Sequence, residues 1–222
     1  PEQGVMDGLA AILARAGVRA RELGMIIHGT TLATNAIIER KGAKTALLVT
    51  AGFRDAIEIA YENRFEQYDI FMEKPAPLVP RTLRLPVTER IDARGNVITP
   101  LDRAGLASLV PTLRANGVQS VAIGFLHSYV APEHERAARD ELARLAPDLY
   151  VTLSSDVSPE IREYERWSTA CANAYVQPVM AGYLGRLQDM LRAAGAACPV
   201  FLMTSAGGLT TVDIARRLPV RL

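Results

Sequence analysis

The chain has 222 residues, 49% of them hydrophobic, and its 25 basic and 24 acidic side chains leave a formal net charge of +1. That much apolar material suffices for one large domain or two small ones and excludes a disordered chain. The balanced charge, gathered into no long run, speaks against a nucleic-acid groove or an acidic tail and points instead to a small molecule or another subunit as partner.

Every long apolar stretch is interrupted by Gly, Pro or charge before about 18 residues, so no membrane span is expected. The opening Pro1-Glu2-Gln3-Gly4 lacks the basic start and apolar run of a secretory signal. Cys171 and Cys198 lie far apart in no metal-type or CxxC spacing, as suits free thiols in a reducing cytoplasm.

Val5, Leu9, Ile12, Leu13 and Ala16 recur at helical spacing and Gly17 follows as a stop, so the chain is expected to enter on a helix. A strand over 23–28, a helix carrying Ala33, Ala36 and Ile37 and closed by Lys41-Gly42, and a buried strand over 45–50 make a βαβ unit. The alternation continues with helices over 53–60 and 102–115, the latter ended by Asn116-Gly117, then a strand over 118–126 and a helix over 132–145. Such a rhythm implies a mostly parallel sheet with helices on both faces. Residues 61–81, with Pro75, Pro77 and Pro80, break it and read as a long ordered loop, a kind of segment that is often functional. Residues 83–92 and Val97-Ile98 flank Ala93-Arg94-Gly95-Asn96 as a hairpin expected to add an antiparallel element to the sheet.

A strand over 149–154 precedes Ser158-Pro159, read as N-cap and first residue of a long helix through Ala170, Ala174, Leu184, Leu187 and Leu191, bent at Pro178. A buried strand over 199–204 ends in Ser205-Ala206-Gly207-Gly208. The expected division is an α/β region over 1–155 and the start of a second lobe over 156–222, opening on the long helix.

His28-Gly29-Thr30-Thr31 lies where a strand hands over to a helix, and such a junction presents backbone N–H groups and the positive helix end. Two readings fit: Gly29 admits an anion or polar carbonyl to the hydroxyls of Thr30, Thr31 and Thr34 and the amide of Asn35, or the threonines cap the helix while His28 satisfies a buried backbone group. Ser205-Ala206-Gly207-Gly208 likewise reads as a phosphate cradle or as a tight turn. In the irregular loop, Arg64 suits a carboxylate or ring carbonyl, with Glu62, Asn63, Tyr68 and Asp69 beside it, unless these are solvated loop groups. Residues 160–166 are charge-dense and read as a helical surface with i,i+3 and i,i+4 ion pairs. His28, His127 and His134 fall in different elements without HExxH spacing, so no metal cage is expected. There is no GxSxG elbow and no cysteine in a nucleophile motif.

Taken in order, His28-Gly29-Thr30-Thr31-Leu32-Ala33-Thr34-Asn35-Ala36, Gly52-Phe53-Arg54-Asp55, Pro77-Leu78-Val79-Pro80-Arg81, Phe125-Leu126-His127-Ser128-Tyr129, Arg162-Glu163-Tyr164-Glu165-Arg166 and Asn173-Ala174-Tyr175 resemble successive signatures of the hydantoinase A and 5-oxoprolinase family. The resemblance spans nearly the whole chain. It implies the actin/hexokinase/Hsp70-type, ribonuclease H-like ATPase fold, in which two lobes close around a nucleotide and Mg²⁺. It implies that ATP phosphorylates an amide oxygen of a hydantoin or 5-oxoproline ring, which makes the ring C–N bond open to hydrolysis. A hydantoinase B-type subunit or fused domain, and hence an oligomer, is the implied partner.

Carried over by the resemblance, His28, Thr30, Thr31 and Asn35 line the catalytic cleft and Gly29, Thr34, Arg64 and Tyr68 its substrate side. Ser205, Gly207 and Gly208 correspond to a nucleotide loop of Ser-Asn-Gly-Gly type in which Ala206 replaces the Asn, and residues 61–65 depart from the Gly-Arg-Gln type of some relatives. The resemblance places an Asp-x-Gly-Gly-Thr phosphate hairpin before Pro1 and a second Gly-rich phosphate loop with the adenosine site after Leu222, so this stretch alone is expected to bind nucleotide weakly or not at all. Two other readings fit the same motifs: an acetone carboxylase-type subunit that activates a ketone and bicarbonate, and a non-catalytic subunit-contact piece.

Overall fold

The computed structural model describes residues 1–61, 66 and 68–222. In chain order these form α1 (Glu2–Ala16), β1 (Ile26–His28), α2 (Leu32–Ile38), β2 (Thr45–Thr50), α3 (Ala56–Ile59), β3 (Arg84–Val87), β4 (Arg90–Ile91), β5 (Val97–Thr99), α4 (Arg103–Ala115), β6 (Ser120–Gly124), α5 (Glu133–Leu145), β7 (Tyr150–Leu153), α6 (Ser154–Val157), α7 (Glu163–Ala193), β8 (Val200–Met203), β9 (Leu209–Thr211) and α8 (Val212–Arg217). Two compact units result, one of Pro1–Gly42 with Val176–Leu222 and one of Ala43–Tyr175.

The larger unit is built on a four-stranded, wholly parallel sheet in the order β3-β2-β6-β7. Every residue of β2 and β6 is buried, as a strand covered on both faces requires. Leu47, Leu48, Val121 and Ile123 share one apolar core with Leu106 and Leu113 of α4, Leu142 of α5 and Trp167 and Ala170 of α7. Helix α4 starts where expected because the Asp102 carboxylate accepts from Gly105 N–H at 2.9 Å.

Residues 83–92 do not form one strand. Pro86 has no N–H to give, which suits β3 to a sheet edge, and the chain then leaves the sheet, so β4 and β5 pair only with each other. The turn between them is as expected: the Asp92 carboxylate accepts from Arg94 and Asn96 N–H, and Gly95 takes φ 87°. The hairpin is thus separate from the sheet rather than added to it.

Ser158 does not cap the long helix. It closes α6 by donating its N–H to Ser154 O at 3.0 Å, and α7 begins only at Glu163, after Arg162 has turned at φ 83°. From there α7 runs 31 residues, through Pro178.

Residues 160–166 make the expected i,i+3 ion pairs, Arg162 with Glu165 at 3.8 Å and Arg166 with Glu163 at 3.6 Å, but they are not a simple charged surface. Arg166 is fully buried and donates to Ser154 Oγ (3.2 Å), Glu160 O (2.8 Å) and Phe125 O (3.0 Å). Glu135, equally buried on α5, accepts from Phe125 N–H, Ser155 N–H and the hydroxyls of Ser154 and Ser155 at 2.6–3.0 Å. Burial pushes the Glu135 carboxyl above its ordinary value, and these four donors oppose that rise. Beside them Thr50 donates to Glu89, Leu126 N–H donates to Thr50 Oγ1 at 2.9 Å, and His134 Nδ1 lies 2.8 Å from Glu89.

In the smaller unit β1 and β8 are parallel, with His28 opposite Leu202, and β9 folds back antiparallel on β8. Helix α1 ends at Gly17, in the left-handed region at φ 65°, with Gly17 and Val18 N–H returning to Ala14 and Leu13 carbonyls. Among the described residues no helix is long and apolar enough to cross a membrane.

Gly124 packs closely against Trp167, where a Cβ would fall 2.5 Å from Trp167 Cδ1. Trp167 is fully buried and has no room to yield. Gly124→Ala is therefore expected to destabilise the protein by about 2 kcal/mol, read as a lower denaturant midpoint; an unchanged midpoint would show that this contact is not tight.

Candidate active site

His28 is the last residue of β1, and its backbone is fixed by pairing with β8. Its ring is half-buried and its Nε2 lies 2.7 Å from the hydroxyl of Tyr183, a residue of α7 only 2% exposed. The Thr30 hydroxyl accepts from Leu32 N–H at 3.2 Å, a local turn typical of Thr. A tyrosine hydroxyl can donate or accept, so Tyr183 and His28 form a hydrogen-bonded pair. Burial lowers the His28 pKa, keeping the imidazole neutral, and raises that of Tyr183, helped by the charge of Glu2. Glu2 is in turn clamped by Arg186 Nε and Nη2 at 2.6 and 2.5 Å.

The rest of the corner faces outward. Gly29, Thr31, Thr34 and Asn35 are exposed, and a Cβ on Gly29 would meet nothing within 4 Å. Thr31 occupies the N-cap of α2 without a side-chain cap bond, so the capping reading of this hydroxyl is not realised; its Oγ1 instead meets Asn35 Nδ2 at a long 3.5 Å. The structure thus brings His28, Gly29, Thr30, Thr31, Thr34 and Asn35 together as one surface, half of it wired inward and half presented.

The other expected site residues are elsewhere. Tyr68 lies in the larger unit and is 94% exposed. Arg64, with Glu62 and Asn63, falls outside the described residues. Ser205-Ala206-Gly207-Gly208 links β8 to β9 as a hairpin turn, with Gly207 at φ 84°. Ser205 N–H donates to Arg221 O (3.0 Å), Gly207 N–H to Thr204 O (2.9 Å) and Gly208 N–H to Thr204 Oγ1 (3.1 Å). These three amides are thus engaged within the smaller unit. Among the described residues no group of three or more His, Cys, Asp or Glu is placed to hold a metal ion.

Tyr183, Glu2 and Arg186 escape a reading by motif. The only signal for Tyr183 is a polar tip among the apolar positions Val176, Met180, Leu184 and Leu187 of one helix, and the sequence does not say which partner that tip reaches. Because its pKa is lowered by burial, His28 favours folding fully above the ordinary 6.5 and less as pH falls through its depressed value. An NMR titration should place the His28 midpoint below 6.5; a midpoint at or above it would contradict the buried, neutral ring.

Residues 1–146 match the family described as hydantoinase/oxoprolinase N-terminal region, and residues 166–222 the family described as hydantoinase/oxoprolinase. The chain is 36% identical to the caprolactamase subunit alpha of Pseudomonas jessenii, over 97% of this chain and 32% of that protein. It is 33% identical to 5-oxoprolinase 1 of Arabidopsis thaliana, over 82% of this chain and 16% of that one. It therefore spans a third or less of the length of these relatives. The crystal structure of the ATP-dependent caprolactamase from Pseudomonas jessenii superposes with a TM-score of 0.86 at 34% identity, covering 98% of this chain and 33% of that one. A nucleotide-free structure of acetone carboxylase superposes with a TM-score of 0.79 at 25% identity, covering 94% and 32%. Together with the parallel sheet, this likeness bears out the expected α/β fold of actin/hexokinase type. The chain belongs to the hydantoinase/oxoprolinase family.

Proposed function

We propose that this chain is part of an ATP-dependent hydrolase of cyclic amide C–N bonds, and that the His28 corner faces the reacting amide. The observation that carries this reading is the pairing, on one strand-to-helix corner, of a neutral imidazole bonded to Tyr183 with the exposed Gly29, Thr31, Thr34 and Asn35. The names of its relatives, caprolactamase and 5-oxoprolinase, supply the substrate class.

In this reading the hydroxyls of Thr31 and Thr34 and the carboxamide of Asn35 orient the ring, and Gly29 lets it approach the backbone. His28, held by Tyr183, moves a proton to or from the amide as its C–N bond breaks, a role suited to an imidazole whose pKa lies below neutrality. ATP with Mg²⁺ supplies the phosphoryl group that makes the amide carbon electrophilic. Arg64 and Tyr68 belong to the substrate side, Ser205, Gly207 and Gly208 to the nucleotide side after rearrangement of their turn, and residues 1–155 and 156–222 to successive lobes. A hydantoinase B-type subunit or fused domain completes the cytoplasmic enzyme.

The likeness to acetone carboxylase favours a second reading, in which the same scaffold activates a ketone and bicarbonate. Assaying ATP turnover by the full-length protein with its partner subunit separates the two. Turnover dependent on caprolactam, a hydantoin or 5-oxoproline is expected, and His28→Ala should lower kcat by about 100-fold or more with an unchanged circular dichroism spectrum. Turnover that requires acetone and bicarbonate would transfer the chain to the second reading, and an undiminished His28→Ala rate would remove the histidine from the mechanism.

A further inference from the structure

The larger unit contains a pocket of about 620 Å³ between α3, residues 72–79 and the start of α7. That volume is within the range of small-molecule sites. Its buried wall is apolar, formed by Ile57, Val79 and Cys171. Burial pushes the Cys171 thiol up to about 12, so it stays protonated and serves as a wall atom rather than a nucleophile. Tyr61 and Tyr164 meet edge to face at the pocket, with ring centroids 5.0 Å apart.

The polar side of the pocket is asymmetric in charge. The Glu58 carboxylate lies 2.7 Å from Arg84 Nη2, and Arg84 Nε donates to Val79 O at 3.0 Å, so the buried guanidinium is anchored on two lining residues and neutralises the acid. Arg84 Nη1 is buried with no hydrogen-bond partner among the described residues. Lys74 Nζ donates to Ile59 O at 3.2 Å, which holds its ammonium at the pocket with donors to spare. Among the described lining residues Lys74 therefore carries the one uncompensated charge.

We propose that this pocket binds a small organic monocarboxylate, its apolar ring or chain against Ile57, Val79 and Cys171 and its carboxylate on Lys74. One surplus positive charge beside a low-dielectric wall favours a single negative charge over a neutral molecule. A polyphosphate would bring several anionic oxygens to one ammonium, and a metal ion would meet Glu58 already paired with Arg84. The inference is independent of the amide-hydrolase reading, since it uses no residue of the His28 corner.

Calorimetric titration of the full-length protein with cyclohexanecarboxylate and, separately, with cyclohexanecarboxamide tests it. The acid is expected to bind saturably and about tenfold or more tighter than the amide. Lys74→Met, an exposed position, should abolish that preference without lowering the melting temperature. Ser168→Leu, which narrows the pocket from α7 without removing a core side chain, should abolish binding of both probes. Absence of saturable binding of the acid, equal affinity for acid and amide in the parent protein, or acid binding indifferent to both substitutions would each overturn the proposal.

Discussion

Taking a guanidinium and a carboxylate wholly out of water costs several kcal/mol for each ion unless nearly every donor and acceptor is matched. The larger unit depends on meeting that condition at Arg166 and Glu135. The carboxylate accepts from the N–H of Phe125 and the guanidinium donates to its carbonyl, so the two ions grip opposite sides of one peptide segment at the end of β6. Ser154 joins them, giving its hydroxyl hydrogen to Glu135 and receiving one from Arg166. Four elements, α5, β6, α6 and α7, are thereby locked where the sheet strands end. Because the groups are charged and buried, the arrangement tolerates little displacement, and the chain around it has few alternatives.

A second buried polar cluster explains why the sheet's own crevice is not the candidate site. Strand order reverses between β2 and β6, and in open α/β sheets ligands commonly bind beyond the carboxyl ends of strands at such a reversal. Here that position is filled by Thr50, Glu89 and His134, all buried and bonded to one another or to Leu126. The openings described lie elsewhere, at the corner of the smaller unit where Gly29, Thr31, Thr34 and Asn35 are exposed and at the apolar pocket beside α3 of the larger one.

Several of the family signatures acquire a structural meaning from this wiring. Arg81 holds Asp55 through two parallel bonds at 2.8 and 2.9 Å, joining the Gly-Phe-Arg-Asp and Pro-Leu-Val-Pro-Arg motifs. Arg166 reaches the carbonyl of Phe125 and stacks over Tyr129, joining the Arg-Glu-Tyr-Glu-Arg motif to the Phe-Leu-His-Ser-Tyr one. Asn173 donates to Thr152 Oγ1 at 3.0 Å. These motifs hold the scaffold together, whereas the threonine-rich motif after β1 keeps Thr31 and Thr34 at the surface.

The sequence by itself determined the local elements and the fold class, because helical spacing, apolar runs and capping residues such as Asp102 and Gly17 act over a few residues. Strand β2 occupies the expected 45–50, and the exposed half of the candidate site, Gly29, Thr31, Thr34 and Asn35, was legible as a strand-to-helix junction. Only the tertiary structure decided that residues 90–99 form a separate hairpin, that Arg166 is buried, and that the amides of the Ser205–Gly208 turn are engaged. It alone decided that the imidazole of His28 meets a phenol 155 residues away. The reason is physical: periodicity reports which face of an element is apolar, but the partner of a buried polar group is chosen by where distant elements pack, and no local pattern carries that information.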